Sequence, residues 1–184
     1  MPAVIESLRT DHANMARLLH LVEAEIAAFK AGTVPDYALL GDILDYLLNY
    51  PDLCHHPAEN MIYRRLRRRA PAEADAVREI EDEHGRIAEL TRRFAAAVHN
   101  VAAESQVPRS AFVDLGNEFL NLMRRHMTAE ETRFFPLALG NLGPKDWAEV
   151  EDTLARHADP LFKSAVVEPY RALHARLAST VLRP

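Results

Sequence analysis

The stretch His55-His56-Pro57-Ala58-Glu59 decides how the chain is read, because His126-Met127-Thr128-Ala129-Glu130 repeats its His-x-x-x-Glu spacing. Residues four apart on an α-helix share one face, about 6 Å apart along the axis, so imidazole and carboxylate project toward one point. That is metal-ligand spacing, although one such pair alone is as readily two solvated positions. Two more histidines complete a pattern. His12 precedes His55 by 43 residues and His84 precedes His126 by 42, while His55 to His126 and Glu59 to Glu130 are both 71 apart. One lone histidine followed by one His-x-x-x-Glu thus occurs twice, an internal repeat of a ligand set.

The periodicity around these residues is helical. Ile5, Leu8, Met15, Leu19, Val22, Ile26 and Phe29 recur every three or four residues and predict a first helix from Ala3 to Lys30, with His12 on its inward stripe. Gly32 suits the stop of that helix and Asp36 the cap of the next. The second helix carries Leu40, Ile43, Leu44 and Leu47, then His55 and Glu59 in phase with Ile62 and Leu66, and ends near Ala70-Pro71. Pro51 and Pro57 each remove a backbone donor, which predicts an irregular turn between them. A third helix is expected from Ala72 to Val101 with His84 between Ile80 and Ile87, and a fourth through Phe112, Leu115, Phe119, Leu122, His126 and Glu130 to Phe134.

Four long amphipathic segments with short connections predict an all-α, antiparallel up-down four-helix bundle over residues 1–140. Residues 141–184, with Trp147, Val150, Leu154, Leu173 and Leu177, are expected to form accessory helices on the same domain. With 184 residues, 48% of them apolar, and only 6 Gly, one domain with a substantial core is the default. A formal charge of −5 gives no general attraction to nucleic acid or acidic membrane. The single Cys54 excludes an intramolecular disulfide, and no apolar run suits a membrane span or signal peptide; a cytoplasmic protein is the expectation.

Burying four imidazoles and two carboxylates without compensation costs several kcal/mol per charged group, and the same stripes hold too few Arg or Lys to pair them. A bound cation supplies the compensation. Imidazole plus carboxylate without thiolate suits iron, manganese or zinc better than copper(I) or calcium.

The order His, His-x-x-x-Glu, His, His-x-x-x-Glu resembles the hemerythrin-like domains, in which His12, His55, Glu59, His84, His126 and Glu130 match all six positions across residues 3 to 138. The resemblance implies two iron ions, Glu59 and Glu130 as bridging carboxylates and the histidines as terminal ligands. It departs from the oxygen carriers at Ala88, where those have a further histidine, and at the last motif, which ends on Glu130 beside Glu131. The pattern is closer to the bacterial hemerythrin-like proteins and the iron- and oxygen-responsive domain of an F-box protein, which argues against reversible oxygen carriage. About four protein donors per ion leave positions for oxygen, peroxide or nitric oxide.

Two function classes follow: a protein that binds or senses oxygen, nitric oxide or iron, and a di-iron enzyme consuming peroxide or reducing oxygen. A sensor of this kind needs a second copy of the chain or a separate output partner. Among neighbouring residues, His56 points about 100° from His55 on a regular helix, Tyr63 reads first as a packed aromatic, and His20 and His157 flank the core or cap a helix end. Asp11 lies at the wrong angle to share an ion with His12, and Glu81, three before His84, has no counterpart at Arg9. Cys54 reads as a small buried residue. The run Arg64-Arg65-Leu66-Arg67-Arg68-Arg69 reads as a solvated helix end that complements the helix dipole.

Overall fold

The computed structural model describes residues 1–51, 55–103, 107–154, 161, 170, 171 and 173–176. Every regular element among the described residues is helical. Helix α1 spans Ala3–Lys30, as its apolar period predicts, and ends where Gly32 adopts φ +88°. Thr33 N–H donates to Ala28 O and Gly32 N–H to Phe29 O, the paired closing bonds of a glycine-terminated helix. Asp36 then caps α2 (Tyr37–Tyr50), its carboxylate accepting from Leu39 N–H at 2.9 Å.

Pro51 and His55 both have π-type geometry, and α3 (His56–Arg69) begins with Pro57 in its first turn, where a missing donor costs nothing. Cys54 lies outside the described residues, as does His157. The expected third helix is two: a five-residue α4 (Pro71–Asp75), a turn at Ala76-Val77, then α5 (Arg78–Ala102). Helix α6 (Arg109–Ala129) does not stop before Pro136. It passes through a π turn, Glu130–Phe134, into α7 (Phe135–Asn141). Pro136 offers no N–H to the carbonyl four residues back, and the wider turn, with Phe135 N–H reaching Glu130 O, carries the helix past that gap.

Helix α1 packs on α2 and α6, and α5 packs on the same two, so the four long elements enclose one core. That core is two apolar clusters. One contains Met15, Leu19, Ile43, Leu47, Phe94, Phe112 and Phe119; the other Ile5, Leu8, Ile62, Leu66, Phe135 and Trp147. His12 falls between Leu8 and Met15, and Glu59 and Glu130 are buried at the same level, so a polar layer separates the clusters. Helix α8 (Pro144–Leu154) seats Trp147 and Val150 against the second cluster and packs on α1 and α3. Leu161 and Leu173 join the first cluster, and Tyr170 meets Tyr46 edge-on at 5.6 Å; Leu177 lies outside the described residues.

Candidate metal centre

All six residues of the repeat meet in the polar layer. His12 comes from α1, His55 from the irregular turn before α3, Glu59 from α3, His84 from α5, His126 from α6 and Glu130 from the first position of the π turn. The Nε2 atoms of His12 and His55 are 3.1 Å apart. Glu59 turns Oε1 toward His55 Nε2 at 3.2 Å and Oε2 toward His84 Nε2 at 3.5 Å. Glu130 does the reverse, with Oε2 3.2 Å from His12 Nε2 and Oε1 3.0 Å from His126 Nε2 and 3.6 Å from His84 Nε2. Each carboxylate therefore presents one oxygen to the His12/His55 pair and the other to the His84/His126 pair.

Proximity here is not hydrogen bonding. Both oxygens of Glu59, both of Glu130 and the Nε2 atoms of His84 and His126 are buried without a hydrogen-bond partner. Orphaned buried polar atoms are rare and costly, and six of them converging on one volume point to a cation as the missing partner. Donors at about 2.1 Å from one ion sit about 3 Å from each other, which is the spacing seen around His12 and His55.

The outward Nδ1 atoms are held by carboxylates. His55 Nδ1 lies 3.3 Å from Asp11, His126 Nδ1 lies 3.3 Å from Glu83, and His12 Nδ1 lies 3.1 Å from Glu131, which also accepts from Arg9 Nε at 2.9 Å. Such outer carboxylates fix tautomer and ring orientation and raise ligand basicity. Asp11 is thus part of the site, through the histidine of another helix rather than through His12. The sign was present in the sequence: an acid directly precedes the lone histidine in both repeats, Asp11-His12 and Glu83-His84.

Electrostatics within the layer are strong. Burial alone would lower His55, but Glu59, Asp11 and Glu130 override it and raise its pKa to about 10. Burial likewise works against His126, and Glu130, Glu59 and Glu83 hold it above the usual histidine value. Glu130, which burial would raise, is held well below the ordinary carboxylate range by His12, His126 and His84.

His56 is the main correction. It reaches the site: its ring stacks on His84 at 3.9 Å with a 14° tilt, and it forms a ligand-distance group with His84 and His126. A regular-helix angle cannot foresee this. Tyr63 is buried against Phe134 and also lines a small cavity with Glu59, Asn60, Glu81, His84 and Glu130. Burial, with Glu81 adding, pushes its phenol up. Glu81 lines the same cavity. A second cavity, lined by Met15, Ile87, Met123 and Met127, touches His12 and His55 and also His56, His126 and Glu130. His20 is 80% exposed beside Glu23 and stands apart from the cluster.

A helical protein with a buried histidine and carboxylate cluster of this kind belongs to the cation-binding class. The family model described as Hemerythrin HHE cation binding domain matches residues 3–138, and the chain belongs to that family. No curated protein and no solved structure matches it. No helix among the described residues is long and apolar enough to cross a membrane.

Proposed function

We propose that this chain is a non-haem di-iron protein that binds or senses oxygen, nitric oxide or iron at a carboxylate-bridged centre. The observation that carries the reading is the set of orphaned atoms on Glu59, Glu130, His84 and His126, with each carboxylate divided between two groups of imidazoles. His12 and His55 hold one ion and His84, His126 and His56 the other, with Glu59 and Glu130 shared. Iron suits this donor set, with manganese or zinc as substitutes. Iron held there supplies Lewis acidity and a redox couple.

His56 changes what Ala88 implies. The further imidazole that position 88 lacks comes from α3 instead, giving the His84/His126 group a third ring, and the methionine-lined cavity touches both groups, through His12 and His55 and through His56 and His126. An apolar cavity favours an uncharged diatomic over an ion. The closed ring of contacts α1 to α2, α2 to α5, α5 to α6 and α6 to α1 supports an up-down antiparallel bundle over 1–140, with accessory helices over 141–184. The lone Cys54 supports a cytoplasmic location, and a second copy or separate output protein is the partner of a sensor.

Metal content of protein from iron-supplied cells tests this. About two irons per chain are expected, falling sharply in His55→Ala and Glu130→Ala, partly in His56→Ala and not in His20→Ala. Equal content in all four removes the ligand assignment. The enzymatic reading, peroxide consumption or oxygen reduction, draws support from the cavity beside His84, whose Asn60, Tyr63 and Glu81 can pass protons. Sustained peroxide consumption supports it; a stable azide or nitric oxide spectrum without turnover supports binding.

A further inference from the structure

We infer that the groove between α3 and α8 is a binding site for a small molecule bearing a diphosphate group. Arg65, Arg68, Arg69, Lys145, Asp146 and Glu149 line an open groove of about 340 Å³, which is at the small end of ligand sites. Four cations face two acids there, an excess of two positive charges on a chain of net charge −5.

The two acids do not cancel the cations so much as fix them. Asp146 is buried and accepts from Arg69 Nε at 3.1 Å and Arg69 Nη2 at 3.1 Å, while Gly143 N–H donates to it at 3.1 Å. Glu149 pairs with Arg65. Each guanidinium keeps further N–H groups outside its ion pair, so two planar forks are held in place before any ligand arrives, and little side-chain entropy remains to be lost. Arg68 and Lys145 are exposed and have no ion-pair partner among the described residues. Fixed arginine forks plus two uncommitted cations suit an anion with two adjacent phosphate groups. Asp146, Glu149 and the negative chain disfavour a long polyanion, which needs an extended basic track.

Calorimetric titration of the full chain with pyrophosphate, at about 0.15 M ionic strength, tests the site. Saturable one-to-one binding is expected, weakened about tenfold in Arg68→Ala and in Lys145→Ala. A variant with Arg92→Ala and Arg93→Ala, two exposed cations on α5, should bind as the parent does. Adenosine triphosphate separates the sources: equal affinity means that inorganic diphosphate suffices, and tighter binding means that a nucleoside contributes. No saturation at about 1 mM pyrophosphate, equal loss in the α5 variant, or binding only to duplex DNA or anionic vesicles would overturn the assignment. Both groove substitutions are on the surface, so circular dichroism verifies that the fold persists.

Discussion

Loading the metal-free protein with ferrous iron under anaerobic conditions, or with zinc, should expel protons near pH 7.5, that of His55 among them. Without a cation the cluster stays intact by holding protons instead. His55 is raised to about 10 and is imidazolium at that pH, offsetting part of the charge of Glu59 and Glu130, and the carboxylates push His126 in the same direction against its burial. Lifting His55 from 6.5 to about 10 represents roughly 5 kcal/mol of preference for the protonated ring. A metal ion takes the same Nε2 lone pairs and must displace those protons. Its apparent affinity should therefore climb with pH, about tenfold per unit for each proton released, and level off only as His55 loses its proton near 10.

Calorimetry in two buffers of different ionisation enthalpy counts the protons directly, and chelator competition across pH gives the slope independently. Glu59→Gln removes the largest attraction acting on His55 and should lower the count; His20→Ala should not. Metal affinity that is flat between pH 7 and 9, with no proton release, would refute the reasoning, because it would mean that the imidazoles are already neutral and the carboxylates balanced by something else.

The same groups set the pH dependence of the metal-free fold. His55 stabilises it fully below 6.5 and loses that contribution as pH rises toward 10, whereas Glu130 contributes above 4.5 and loses its contribution as pH falls, so urea denaturation should find greatest stability between those values; greater stability at pH 9 than at 5.5 would contradict this. Asp11→Asn weakens the hold on His55 Nδ1 and should lower metal affinity about 10- to 100-fold with the fold intact, measured by chelator competition. Gly116→Ala sets a Cβ 2.5 Å from Ile26 Cδ1 and 3.0 Å from Phe94 Cζ, and should cost about 1–3 kcal/mol in urea denaturation without changing metal content.

What the sequence made legible was whatever repeats along one helix. The stripe from Ile5 to Phe29 predicts a helix over about the span that α1 takes, Ala3–Lys30, and the His-x-x-x-Glu spacing predicts which side chains share a level. Contacts between helices leave no such period. Asp11 is off the His12 direction and yet meets His55 because α1 and the turn before α3 lie side by side. His56 escaped for a related reason: His55 before it has π-type geometry, and the 100° rule holds only where the helix is regular. The π turn at Glu130 has its cause six residues later in Pro136, a residue that reads as a terminator in isolation and becomes tolerable once the preceding turn expands.

The two halves of the repeat differ where difference matters to the cluster. A shift of 71 residues lays Glu59 on Glu130, Asn60 on Glu131, Tyr63 on Phe134 and His56 on Met127. Glu131 gives His12 a carboxylate that is itself anchored by Arg9, whereas position 60 offers a neutral amide in the cavity wall beside His84. The pair His56 and Met127 is the more consequential. His56 adds an imidazole face to face with His84, and both it and its thioether counterpart line the cavity that touches His12, His55 and His126. A thioether is a soft, weak donor to iron and fills space as an apolar group. One half of the repeat thus brings a third imidazole beside His84 and His126, and the other brings a thioether into the wall of the cavity that His56 and His126 share with His12 and His55. The two nearly identical motifs thereby differ in what they set beside the cluster: Tyr63, Asn60 and Glu81 wall one cavity, and Met15, Met123 and Met127 wall the other.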